Sequence, residues 1–131
     1  MKRLTKEDIR ASGVLNPVGH VILAFANDAA AAHAVTALRA GGFAAEDVLY
    51  YLASEAAPRL RARIESASEG AGFGYEITLM RRYLALAEEG CGWIIVYAPD
   101  DDAVQRATKV GTDLHAKCAV RYGRLVNEDL I

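Results

Sequence analysis

The densest mixture of aromatic and cationic side chains in this sequence is Tyr75, Arg81, Arg82 and Tyr83, just behind the glycine-rich stretch Gly70-Ala71-Gly72-Phe73-Gly74. On a helix, Tyr75, Leu79 and Arg82 follow one another at steps of four and three, so phenol and guanidinium approach the same face. A planar guanidinium beside a phenol suits a carboxylate or phosphate. Backbone amides at a helix start, near Gly72 and Gly74, would add to an anion site. Opposing this, the glycines follow a helical pattern rather than a strand and lack the Lys-Ser/Thr of a nucleotide loop, and Glu76 would repel an anion. Helix termination explains the glycines, and an exposed helix face explains the arginines. The candidate ligand set is therefore Tyr75, Arg81, Arg82, Gly72 and Gly74, for a small anionic metabolite.

Other reactive side chains do not converge by spacing. His20, His33 and His115 are too dispersed for a recognisable ligand pair, so no metal and no cofactor is expected. Cys91 and Cys118 lack CxxC spacing and have no local cation to activate them, so they read as small buried hydrophobes. Asp100-Asp101-Asp102 matches Asp28 ahead of another helical stretch, and capping explains both. No nucleophile elbow, Ser/His/Asp motif or carboxylate pair is present, and an enzyme is not favoured. A role for His115 or Cys118 at a subunit junction is the remaining enzymatic alternative. Arg59 and Arg63 share a helix face that Arg61 leaves, which reads as a solvated surface rather than a nucleic-acid patch.

These residues sit on a scaffold that repeats once. Val21-Ile22-Leu23-Ala24-Phe25 followed by Asp28 recurs as Trp93-Ile94-Ile95-Val96-Tyr97 followed by Asp100. An ungapped offset of 72 residues then carries Leu38 onto Val110, Val48 onto Val120 and Tyr50 onto Tyr122. On that offset His115 answers to Phe43 and reads as a packing residue. Each copy runs strand, acidic cap, helix, strand.

The chain divides into a first unit (19–52), a helical insertion (53–90), a second unit (91–123) and a tail (124–131), all within one domain. Asn27 or Asp28 starts a helix that Gly41-Gly42 stops. In the insertion, Leu60, Ile64 and Ala67 form one apolar stripe, and Ile77, Met80, Tyr83, Leu84 and Ala87 form another. Ahead of the first unit, Thr5 with Glu7 and Asp8 can start a short helix with Ile9 inward. Leu125-Val126 and Leu130-Ile131 make the tail apolar, so it must dock somewhere.

Two strand–helix–strand units with right-handed crossovers interleave as a split βαβ arrangement. The fold class is thus α+β, ferredoxin-like, with a four-stranded antiparallel sheet and two inserted helices between the halves. Repeat helices would cover one face only. The other face also carries apolar residues and needs a cover, either the inserted helices or a second subunit.

The run Val21–Phe25, Asp28, Ala29–Leu38 and Ala40-Gly41-Gly42-Phe43, continued by Gly90, Trp93–Val96 and Asp100–Asp102, resembles the bacterial general stress protein domain family. That resemblance spans residues 19–122 and implies a ferredoxin-like pattern and a stress-related role, without catalytic residues.

Composition limits the partners. A net charge of −2 with scattered basic residues argues against nucleic acid. His20, Asp28 and Arg39 interrupt the most apolar region, so no membrane span is expected. The start lacks an apolar stretch behind its basic residues, which gives a cytoplasmic expectation. The leading expectation is a non-enzymatic domain that self-associates, as a dimer, in stress response or regulation. The alternative is a sensor of small anionic metabolites, binding between sheet and inserted helices.

Overall fold

The computed structural model describes residues 3–11, 16–68, 74–124 and 126–131. The apolar run before Asp28 forms β1 (His20–Phe25), with all six residues buried, as a strand covered on both faces requires. Asn27 caps α2 (Asp28–Ala40), its Oδ1 accepting the Ala30 N–H at 2.8 Å. Gly42, at φ +101°, closes that helix: the Phe43 and Gly42 amides turn back to the carbonyls of Leu38 and Arg39, a pairing that needs a left-handed residue at its centre. A 3-10 turn (Ala45–Asp47) leads to β2 (Val48–Tyr51). The insertion supplies α3 (Ala53–Ser68) and α4 (Gly74–Glu88). The second half then runs β3 (Gly92–Tyr97), α5 (Asp101–Asp113), β4 (Cys118–Tyr122) and β5 (Asn127–Asp129). A short α1 (Lys6–Ala11) precedes β1, started by reciprocal bonds between Thr5 and Asp8.

The strands form one antiparallel sheet in the order β2-β3-β1-β4-β5. Each half gives one of the two central strands β1 and β3, so the two βαβ units interleave as their repetition suggests. The expectation of four strands is corrected to five. The tail lies along β4 through Asn127, Glu128 and Asp129, and the Leu130 amide donates to the Ala119 carbonyl at 2.8 Å. Those three polar residues have low strand propensity; the ladder with β4 holds them instead.

Both faces of the sheet are covered within the chain. Val21, Leu23, Phe25, Ile94 and Val96 face α2 and α5, through Ala31, Ala34, Leu38, Val104 and Ala107. Ile22, Tyr51, Trp93, Ile95, Val120 and Tyr122 face the other way, onto α3, α4 and Ile9 of α1. Of the two covers the sequence left open, the inserted helices are the one present.

The repeat is one residue longer than the ungapped alignment makes it. Asn27 and Asp100 hold the equivalent N-caps, and α2 and α5 are each 13 residues long. Val21, Leu23 and Phe25 share their sheet face with Ile94, Val96 and Ala98, so the true step is 73. A slip of one residue exchanges the two faces of a strand, which is why burial pattern rather than similarity reveals it. His115 consequently answers to Gly42, not Phe43. It is exposed at φ 59°, and the Ala116 and His115 amides return to the carbonyls of Gly111 and Thr112. The packing role read for His115 is therefore wrong; it is the left-handed residue that ends α5.

Candidate functional site

A small cleft of about 50 Å³ lies between the sheet and the inserted helices. Its floor is Ile22, Tyr51, Trp93 and Ile95 from the three strands β1 to β3. Its roof is α3, through Ala56, Arg59, Leu60 and Arg63, with Tyr83 of α4 and Ile9 of α1 closing the ends. The roof is held from its first turn. The Asp28 carboxylate accepts the Ala53 N–H at 2.8 Å, Glu55 accepts the Leu52 N–H at 2.9 Å, and the Tyr50 hydroxyl donates to the Asp28 carbonyl at 2.9 Å. Asp28 thus anchors α3 while Asn27 caps α2, and the capping role expected of Asp28 is corrected.

Three cations surround Tyr51: Arg59 and Arg63, which line the cleft, and Lys6 of α1. Lys6 Nζ lies 4.7 Å from the Tyr51 ring centroid and the Arg59 guanidinium carbon 5.6 Å from it. Such contacts are attractive because the ring face carries negative charge. Arg63 donates to the Ile9 carbonyl, tying roof to α1. Burial draws the Arg63 pKa below its ordinary value; Tyr51 opposes that change and the like charge of Arg59 adds to it. Among the described residues, neither Lys6 nor Arg59 forms an ion pair, whereas Arg61 holds Glu88 at 3.1 Å and Arg106 holds Asp102 at 3.0 Å.

Polar groups buried around the cleft are few. Trp93 is 5% exposed, and its Nε1 is buried with no hydrogen-bond partner among the described residues. Its ring meets Tyr83 edge-on, centroids 5.3 Å apart. The Tyr83 and Tyr122 hydroxyls lie 2.7 Å apart, and burial pushes Tyr83 ionisation far above the ordinary phenol range. Burial also raises the Cys118 thiol to about 11 and pushes Cys91 upward. These groups are neutral at physiological pH and buried, so they supply neither a base nor a nucleophile.

Gly72 falls outside the described residues, as does most of the Gly70–Gly74 break. Gly74 and Tyr75 begin α4. Arg81 and Arg82 are exposed and do not border the cleft, and Arg82 pairs with Asp129 of β5 at 3.2 Å. Asp100 caps Ala103 at 2.8 Å, while Asp101 and Asp102 hold Arg121 and Arg106. His33 is exposed and His20 buried. Among the described residues, no group of three His, Cys, Asp or Glu is placed to hold a metal ion, and no helix is long and apolar enough to cross a membrane.

What sequence reasoning passed over is Arg59 with Arg63. Their shared face was legible from the spacing. The missing step was Glu55, the acidic residue one turn before Arg59, whose carboxylate is drawn into starting α3 and so leaves Arg59 unneutralised. No protein-family model, curated protein or solved structure matches the chain.

Proposed function

We propose that this protein is a non-enzymatic binding module that takes a small organic anion into the cleft between its sheet and its inserted helices. The observation that carries this reading is a pairing of opposites: Arg59, with Lys6 at the same Tyr51 ring and neither in an ion pair among the described residues, beside walls of Ile22, Leu60, Trp93 and Ile95. Exposed cations can be satisfied by water. Cations gathered at the rim of an apolar recess instead match a ligand with a charged end and an apolar body, the usual division of labour in small-molecule sites. The strand order fits a ferredoxin-like arrangement extended by β5 and by a helical cover, and that cover creates the cleft. The fold by itself assigns no activity.

Thermal-shift measurements with organic acids test the reading. A ligand at a hundred times its Kd stabilises the native state by about 2.7 kcal/mol, which for a domain of this size raises Tm by several degrees. Stabilisation by an organic anion that is lost in Arg59→Gln supports the proposal. No stabilisation by any acid at millimolar concentration would reject it.

A self-associating stress-response domain is the second reading, continuous with the resemblance carried by Val21–Phe25 and Gly41-Gly42-Phe43. Its support is Val126 and Ile131, 72% and 53% exposed on either side of the edge strand β5, which a second copy paired along that edge would cover. Sedimentation equilibrium at tens of micromolar decides it, with a dimer weakened by Val126→Lys as the supporting outcome and a monomer as the opposing one.

A further inference from the structure

We infer that α1 is a plug in the cleft, latched by His20, and that protonation of His20 releases it. In naming what controls entry to the cleft this rests on the anion-binding reading above, but α1 is followed with no ligand present, so either can fail alone. The need for a movable wall comes from size. With Ile9 in its lining the recess holds about 50 Å³, room for water alone, whereas sites for organic ligands begin at about 300 Å³. Most of the walls are fixed: Ile22, Tyr51, Trp93 and Ile95 by the strand ladders, and α3 by its packing on α4. α1 pairs with no strand, and six residues do not make a stable helix alone. Its place depends on contacts to the rest of the chain. Leu4 and Ile9 pack on the core, Lys6 lies over Tyr51, Arg63 donates to the Ile9 carbonyl, and the Leu4 N–H donates to His20. The last of these is the one a proton breaks.

His20 stands two residues before Ile22 on the same face of β1, next to the cleft floor, and is 1% exposed. Its Nδ1 donates to the Val18 carbonyl at 3.1 Å, and its Nε2 accepts from Leu4 at 3.2 Å. A second proton turns Nε2 into a donor, and two N–H groups then face each other in a buried space. Its register neighbours on β3 and β4 are Tyr97 and Tyr122. The nearby charges oppose one another: Asp47 favours the imidazolium, while Arg3, paired with Asp47 and 5.3 Å from the centroid of the Tyr97 ring, repels it. Burial lowers the His20 pKa while α1 is docked. With α1 gone the ring meets water and returns towards 6.5, so the open form takes up the proton more readily and acid favours opening.

The test is amide hydrogen exchange by NMR on the intact chain, followed from neutral to acid pH and corrected for the intrinsic rate. Three amides divide the question. Leu4 reports the latch, Ile9, bonded to the Thr5 carbonyl at 3.1 Å, reports α1, and Ile94, fully buried in β3, reports the core. Protection of Leu4 and Ile9 should fall together below about pH 6.5, by up to about tenfold per pH unit, the limit for one proton, while Ile94 holds. His20→Gln keeps an acceptor for the Leu4 amide without titrating, and should hold both amides closed. Unchanged protection of Ile9 overturns the plug, whether or not Leu4 frays. Loss at Ile94 in step with Ile9 overturns it as well, being acid unfolding. The same loss in His20→Gln removes His20 as the latch. Should that variant not fold, the unaltered chain decides: Ile9 protection must level off at the pH where the His20 ring itself titrates, and a plateau elsewhere overturns the latch. An organic anion that binds while Ile9 stays protected sinks the plug and keeps the anion reading; release of α1 with no acid bound does the reverse.

Discussion

A β-carbon added to Gly92 would lie 2.7 Å from the Ala31 side chain, 3.0 Å from the Asp28 Cα and 3.1 Å from the Asn27 carbonyl oxygen. The start of β3 is thus pressed against the first turn of α2, where small residues set the distance between helix and sheet. Gly92→Ala should cost about 1–3 kcal/mol by overpacking, read as a lower urea midpoint with an unchanged slope; no loss would mean that α2 shifts freely. His20 is constrained differently. Its Nδ1 sits 3.1 Å from the Val18 carbonyl and therefore carries the proton, which leaves Nε2 to accept the Leu4 N–H at 3.2 Å. Tyr97 packs on the ring at 5.1 Å, and Asp47, itself paired with Arg3, favours the charged form. Burial outweighs these and holds the His20 pKa below 6.5. A proton on Nε2 would face the Leu4 amide and break the bond that fastens the amino-terminal segment. Since the unfolded chain takes up this proton at higher pH than the folded one, stability should fall as pH drops below about 6.5, down to the folded-state value. The Leu4 amide should lose hydrogen-exchange protection over the same interval. His20→Gln should flatten that part of the stability curve; an unchanged slope would assign the acid sensitivity to another group.

At the level of elements, the repeat helices were legible because both of their ends carry local chemistry. Asn27 and Asp100 each accept a helix N–H at 2.8 Å, and replacing either with alanine should cost about 1 kcal/mol in thermal or urea unfolding. The register between the halves was not legible, because central strands are apolar on both faces and tolerate either alignment by similarity. Only the side on which Val21 and Ile94 meet α2 and α5 distinguishes 73 from 72. The same limitation hid the site. Arg59 and Arg63 advertise a shared helix face, but whether that face meets water or the mouth of a recess depends on how α3 lies over β2 and β3, which is a tertiary fact. Asp28 decides part of it by receiving the Ala53 amide. Asp28→Ala should therefore loosen the first turn of α3 and weaken the anion binding proposed for the cleft, although residue 28 does not line it. Retention of full affinity would show that packing of Leu60 suffices to place the roof.

Over the whole molecule, the insertion does what a partner subunit would otherwise have to do. The strands turn Ile22, Leu49, Tyr51, Trp93, Ile95, Val120 and Tyr122 towards α3 and α4, a patch of large side chains that would not stay in water as a monomer's surface. The sequence required a cover without saying which kind, since apolar strand faces look the same whether a helix or a second sheet lies over them. Topology makes the alternative testable. β2 and β3 are adjacent and antiparallel, with Tyr51 opposite Trp93, so a two-residue Asn-Gly turn in place of residues 53–91 would join them as a hairpin without altering the sheet. The shortened chain keeps α2, α5 and their face of the core. It should associate sheet to sheet or aggregate, observable as a rise in mass by light scattering, and it should lose the cleft with its roof. A shortened chain that remains monomeric and cooperatively folded would mean that the exposed face is tolerable alone, and that the helices are retained for the ligand rather than for burial.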